Sequence, residues 1–149
     1  MRLAYQVATP EVHTPDVTAF RGDLRDAFAR LAHLGYTAVE LMVRDPDRVP
    51  VPLLEALADA HHLPICLVCT GEIYGEDGLS FTDPRLAVRA EARRRMGAAI
   101  RLAARFGADV NVGRLRGRLS PGVPAEVALG WGRSALLHAA DAAAEQGVR

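Results

Sequence analysis

The sequence predicts an α/β domain built from four consecutive strand–helix units around a parallel sheet. Three observations carry this reading. Short apolar runs rich in Val, Leu and Ile occur at four places, and each is followed by a segment with helical spacing of apolar residues. Similar joints, LGYT at residues 34–37 and FGAD at 106–109, lead from helix into strand. Strands that alternate with helices pair in parallel through right-handed crossovers. A chain of 149 residues, 50 % of them apolar, suffices for one domain, which at this length buries about 70 % of its unfolded surface. Residues 1–149 are read as that single domain.

The first run, LAYQVA at residues 3–8, closes at Thr9-Pro10 and reads as a strand. After a loop over residues 11–18, Leu24, Phe28 and Leu31 recur at i, i+4 and i+7 within a helix over about residues 22–34. Gly35 stands where a helix end favours a left-handed residue. Residues 37–43, TAVELMV, form the second strand and end at Arg44-Asp45-Pro46. Pro52 opens a second helix with a stripe of Leu53, Leu54, Leu57 and Ala60, closing at His61-His62. ICLVC at 65–69 is the third strand, followed by a polar loop over residues 70–82. Asp83 is expected to cap, and Pro84 to begin, a long helix ending at Phe106-Gly107. Its Arg89, Arg93 and Arg94 are expected on the solvent face, and Val88, Met96, Ile100 and Leu102 inward. The fourth strand is DVNV at 109–112, then a loop, then a last helix opened by Pro124 and marked by Leu136, Leu137 and Ala140. The chain stops at Gln146-Gly147-Val148-Arg149, where its own rhythm calls for a fifth strand.

Charge is balanced at 18 basic and 18 acidic residues, which offers neither a nucleic-acid tail nor a polybasic membrane arm. Every basic residue is Arg, so a Schiff-base lysine and a P-loop lysine are excluded. No apolar stretch approaches the ~20 residues of a membrane span, and the N-terminus lacks a signal peptide's apolar core. A cytoplasmic protein is the expectation. Cys66 and Cys69 fall on one strand read as buried; three residues apart they face opposite ways, so packing is expected over a shared metal. His61 and His62, adjacent at a helix end, diverge and suit the helix dipole instead.

The segment LGYTAVEL at 34–41 resembles the second strand of the xylose isomerase-like TIM barrels, a superfamily that includes sugar phosphate isomerases/epimerases and endonuclease IV-type AP endonucleases. The blocks TGEIYGEDGLSFTDP at 70–84 and NVGRLRG at 111–117 are more similar to the sugar phosphate isomerase/epimerase branch. The resemblance covers the whole chain but only the family's first four units, since the full barrel has eight strands and about 250 residues. It implies an N-terminal half barrel. It also implies a divalent metal (Mg, Mn, Co or Zn) held in the full-length barrel by groups on strands five to eight, together with two proton-transferring glutamates there. This chain holds neither, so no catalytic and no metal-binding residue is assigned and no cofactor is expected in it.

Five residues are candidates for the substrate side. On the second strand, Val39, Leu41 and Val43 share one parity and Glu40 the other, which points Glu40 into the barrel near its C-terminal rim. It is either a substrate-side polar group or a structural carboxylate bridged to Asn111 or an Arg. Glu72 follows the third strand, and Arg114 and Arg116 the fourth, on the face where barrel loops build sites. The guanidinium groups suit phosphate recognition, or they brace the loop. His13, after the first strand, reaches the mouth or is simply solvated.

The leading reading is a sugar phosphate isomerase/epimerase-like protein, truncated before its metal-binding strands and expected to be inactive alone, with a small sugar or sugar phosphate as partner. Alternatives are a non-catalytic half-barrel assembly module or truncated gene product, and an AP endonuclease-like DNA repair protein; the neutral charge disfavours nucleic acid. A flavodoxin-like domain is the alternative fold, against which stands TPEVH at 9–13 in place of a Gly-rich phosphate loop. Open edges at strands one and four, with no Pro or Lys inside strand one, lead to the expectation of self-association, most simply as a two-fold dimer closing a ring.

Overall fold

The computed structural model describes residues 3–15 and 17–149; Met1, Arg2 and Asp16 lie outside it. Four strands, β1 (Ala4–Ala8), β2 (Ala38–Met42), β3 (Ile65–Cys69) and β4 (Asp109–Asn111), form one parallel sheet in the order β1-β2-β3-β4. The helices are α1 (Leu24–His33), α2 (Val51–His61), α3 (Gly71–Gly75), α4 (Leu86–Phe106) and α5 (Ala125–Glu145), with 3-10 turns at Pro46–Arg48 and Gly113–Arg116. Sequential order and parallel pairing make this four (βα) units of a barrel wall, as the sequence indicates.

The strand parities decide what faces where. Val39 and Leu41 of β2, Val7 of β1 and Val68 of β3 are at most 1 % exposed and pack under the helices. Phe28, Leu54 and Ile100 meet them from α1, α2 and α4, all fully buried in one core cluster. Each such side chain contributes about 1.5–3 kcal/mol by leaving water. The other parity carries Gln6, Glu40, Leu67 and Asp109 in one layer, and Ala8, Met42, Cys69 and Asn111 in the next layer towards the C-terminal rim. That face is the inner wall, and Gln6, Glu40, Leu67 and Asp109 are only partly buried on it.

Several expectations are corrected. The 70–82 segment is largely buried rather than a solvated loop: α3 forms within it, and Thr70, Glu72, Ile73 and Phe81 are inaccessible. Asp83 does not cap the long helix from the expected place. Its Oδ1 accepts the backbone N–H and Nε of Arg85 at 2.9 Å, and α4 begins only at Leu86. On α4, Met96, Ile100 and Leu102 do face inward, but Arg89 and Arg93 turn towards α5 rather than to open solvent. Arg89 lies 3.8 Å from the Trp131 ring centroid, and Arg93 Nη2 is 3.5 Å from Ser134 Oγ. The buried side of α5 consists of Ala128, Gly132, Ala135, Ala139 and Ala143, whereas Leu136 and Leu137 face solvent. Small residues win there because α5 lies close against α4.

Nor are the sheet edges bare. On β1, Phe20 donates its N–H to Gln6 O at 2.8 Å and accepts the Ala8 N–H at 2.9 Å. On β4, the Val110 N–H bonds Arg149 O at 2.9 Å, while the Arg149 guanidinium reaches Asp109 at 3.2 Å. Among the described residues, no helix is long and apolar enough to cross a membrane.

Candidate functional site

The C-terminal ends of the four strands feed four loops, and α3 ties three of them together. Because α3 is helical, Glu72 and Glu76 stand one turn apart and share a side. Glu72, 1 % exposed, takes a guanidinium N–H of Arg114 on one carboxylate oxygen. On the other it takes the Thr14 hydroxyl at 2.7 Å, a proton it shares with Glu76 Oε1 at 3.0 Å. Glu76 accepts the backbone N–H groups of His13 and Thr14 on Oε1, the latter at 2.7 Å. Its Oε2 meets Arg44 Nη1 at 2.9 Å. Burial alone would push the Glu76 carboxyl up. The N–H groups of Thr14 and His13, the Thr14 hydroxyl and Arg44 outweigh it and hold the group below the usual carboxylate range.

Arg44, two residues past the end of β2, also binds Asp77 Oδ1 through Nε at 2.9 Å and Nη2 at 2.7 Å. The Asp77 hydrogen bonds, opposed by burial, raise its pKa, so it stays charged. Arg95 of α4 completes this network, with Nη1 2.7 Å from Arg44 O and Nε 2.9 Å from Glu91. Gly75 sits against the same pair: a Cβ there would meet Glu72 Oε2 and lie 2.7 Å from Arg114 Nη2, so the ends of both side chains would have to shift to admit one.

The sequence-nominated residues therefore part company. Glu72 and Arg114 come together, but as a brace in which the carboxylate is fully engaged; Arg114 remains 56 % exposed at its outer end. Arg116 turns away from them, donating to Gly113 O at 2.7 Å and lining the groove beside α5. His13 is exposed at the mouth, its position fixed by its backbone, whose C=O accepts Arg21 Nη2 at 3.2 Å. Glu40 does lie on the inner wall, but mid-strand rather than at the rim, and among the described residues it forms no bridge to Asn111 or to an Arg. The register explains this: Glu40 shares its layer with Gln6 and Leu67, while Asn111 pairs with Cys69 one layer higher.

A register shift between Val39 and Glu40 sets Ile65 opposite Val39 and Leu67 opposite Glu40, so Cys66 has no partner in the ladder. Cys66 is exposed, not buried as expected, with Sγ 3.5 Å from Val39 O. Partial burial first, then the charges of Glu40 and Asp109, push its thiol pKa up. Sequence reasoning missed Thr14, Arg44 and Glu76. Glu72 and Glu76 at i and i+4 were the available signal, hidden because the flanking glycines disguise α3.

The sequence matches the xylose isomerase-like TIM barrel family over residues 28–149, and the chain belongs to that family. No curated protein matches it. Among solved structures it is similar to D-allulose 3-epimerase from Methylomonas sp. in complex with D-allulose, with TM-score 0.73 and 21 % identity, covering 99 % of this chain and 50 % of that one. L-ribulose 3-epimerase gives TM-score 0.71 and 20 % identity over 99 % of this chain and 47 % of that one. A sugar phosphate isomerase/epimerase from Parabacteroides distasonis gives 0.59 and 13 %, over 99 % and 50 %. The chain spans about half the length of these structures, and the likeness is one of fold: half a TIM barrel.

Proposed function

We propose that this chain supplies the substrate-orienting half of a sugar isomerase/epimerase site and does not turn over sugar by itself. The observation that carries this is the open inner wall: Glu40 in its middle and His13 and the outer end of Arg114 at the rim are accessible on the face where barrel enzymes bind substrate. Glu72 acts on a sugar only through Arg114, which it aims. Arg116 stands to one side of the rim and suits a phosphate at the substrate's end.

The residues present do not fit a divalent metal. Both rim carboxylates, Glu72 and Glu76, are spent on Arg114, Thr14, Arg44 and His13, and no three His, Cys, Asp or Glu groups converge among the described residues. No step through a metal is derived for this chain. The reading also carries self-association of two half barrels in the cytoplasm, since an unclosed sheet leaves the inner wall uncovered.

The test is ligand-detected NMR with D-allulose, L-ribulose and a ketose phosphate, followed by ¹³C NMR for epimer formation with and without added Mn²⁺. Binding without turnover, weakened at least fivefold by Arg114→Ala or Glu40→Gln, is expected. No saturation transfer to any of the three sugars overturns the reading, as does epimer formation by the isolated chain.

A further inference from the structure

Among the described residues, three buried side-chain polar atoms have no hydrogen-bond partner: Glu11 Oε2, Arg93 Nε and Asn111 Oδ1. Buried polar groups are almost always paired, so each such atom calls for a reason. Glu11 keeps the Thr9 hydroxyl on its other oxygen at 2.6 Å, and Arg93 faces α5, its Nη2 near Ser134 Oγ. Asn111 alone of the three stands on the inner wall, in the layer of Ala8, Met42 and Cys69 towards the rim.

The root of this side chain is fixed. Thr70, which is inaccessible, places its Oγ1 3.0 Å from Asn111 O and 2.8 Å from Val112 O. The amide then ends beside Gly113, where a Cβ would stand 3.2 Å from Asn111 Oδ1 and 3.7 Å from Gly71 N and Cα. Gly113 has a φ of +48°, which favours glycine at this junction. Oδ1 is thus sealed without a donor. Nδ2 bonds no described residue and is not sealed, and Asn111 is partly exposed, so its N–H groups open onto the wall.

An amide placed for the fold alone would pair its buried end, since an unpaired one costs more than an apolar side chain of the same shape. Arg114, three residues on, lies against the same start of α3, with Nε 3.9 Å from the position of a Gly71 Cβ. Its Nη2 is taken by Glu72, and its outer end is exposed. Two donor groups therefore flank Gly71, and neither offers an accessible acceptor.

We infer that Asn111 is a binding residue of the sugar site, its Nδ2 N–H groups donating to an acceptor oxygen of the sugar beside Arg114. This rests on the substrate-orienting reading above and adds to it a residue and the direction of its hydrogen bond. The unpaired Oδ1 is what the fold gives up to aim the amide at the ligand. Such a residue trades stability for binding, which an asparagine that only supports the fold does not.

Three variants of the full chain test it. Asn111→Leu, of similar size, removes the unpaired oxygen together with the donors, and Asn111→Asp keeps the shape but removes the donors. Asn111→Ala takes the place of Asn111→Leu if that variant unfolds. Urea unfolding followed by circular dichroism gives stability, and ligand-detected NMR titration with D-allulose, L-ribulose and a ketose phosphate gives affinity. Asn111→Leu is expected to unfold at a urea midpoint no lower than the wild type's. It is also expected to bind more weakly by at least about fivefold, the loss of one net hydrogen bond. Asn111→Asp is expected to lose as much affinity, whatever its midpoint.

A loss under that size in either variant overturns the proposal, because the amide then gives the ligand nothing. So does a midpoint lowered in both Asn111→Leu and Asn111→Ala, which would make the amide a support of the fold. A wild type that binds none of the three sugars sinks the functional reading and this role with it. A wild type that binds, with variants that bind equally well, sinks only the role of Asn111.

Discussion

Replacing Arg114 with Ala removes the guanidinium from a carboxylate that is 1 % exposed. Breaking a buried pair by deleting one partner costs about 3–5 kcal/mol, because the remaining charge is left in the interior. Two features reduce this here. The Arg114 side chain is 56 % exposed, so water enters the space it vacates. The Thr14 hydroxyl still donates to Glu72 at 2.7 Å. A loss of about 2 kcal/mol is expected, which for a domain of this size lowers Tm by roughly 6–8 °C. Urea unfolding followed by circular dichroism measures it, and the m-value should stay constant. Glu72→Gln in the Arg114→Ala background removes the stranded charge and should restore about half of the loss. If Arg114→Ala costs under about 0.5 kcal/mol, or if Glu72→Gln makes the double variant weaker still, Glu72 is not a buried charge held by Arg114 and the account of the rim is wrong.

Gly75→Ala drives a methyl into the same pair and should cost about 1–3 kcal/mol by overpacking, read by the same urea midpoint. Acid should weaken the fold. The folded pKa of Glu91 is held at about 2 by Arg94 and then Arg95, and Glu76 and Asp83 are also below their usual values. Their stabilisation is present above the unfolded carboxylate range of about 4 and is lost as pH falls through the folded values. The urea midpoint should be flat from pH 7 to about 5 and drop towards pH 2, less steeply in Glu91→Gln; a midpoint that rises on acidification would refute the sign. Arg89→Ala removes the cation from the Trp131 face and should cost about 0.5–1 kcal/mol, with a red shift in the emission of the one tryptophan. Glu40→Gln relieves the charge that raises the Cys66 pKa, so a disulfide reagent at pH 7.5 should label Cys66 faster; an unchanged rate in a Cys69→Ser background would separate the two groups.

The four units were legible because strand and helix periods differ and because glycine joints punctuate them. At Gly35 and Gly107 positive φ leaves little alternative to a helix end. What the sequence hid has physical causes. α3 is five residues long and begins and ends in Gly, so local propensity is silent and tertiary bonds shape it. Leu136 and Leu137 look like core by hydropathy, yet close helix packing took the alanines instead. Phe20 covers the β1 edge with one bridge from a segment that has no strand pattern. At the rim, bracing and ligand recognition use the same residue types. Glu72 and Arg114 were therefore visible as a pair of candidates, while the choice between their roles depended on Thr14, which no spacing links to them.

The ties of α3 reach Thr14 across 58 residues, Arg114 across 42 and, through Asp77, Arg44 across 33. A helix this short does not persist unaided. Its bonds need three separate loops in place, so the rim is expected to be the last part of the molecule to form and the first to let go. The amides of Thr14, Ile73 and Glu76 should then exchange with deuterium together, at a lower opening free energy than those of the β2–β3 ladder. Changes within the cluster are then expected to speed unfolding while leaving the rate of folding almost untouched.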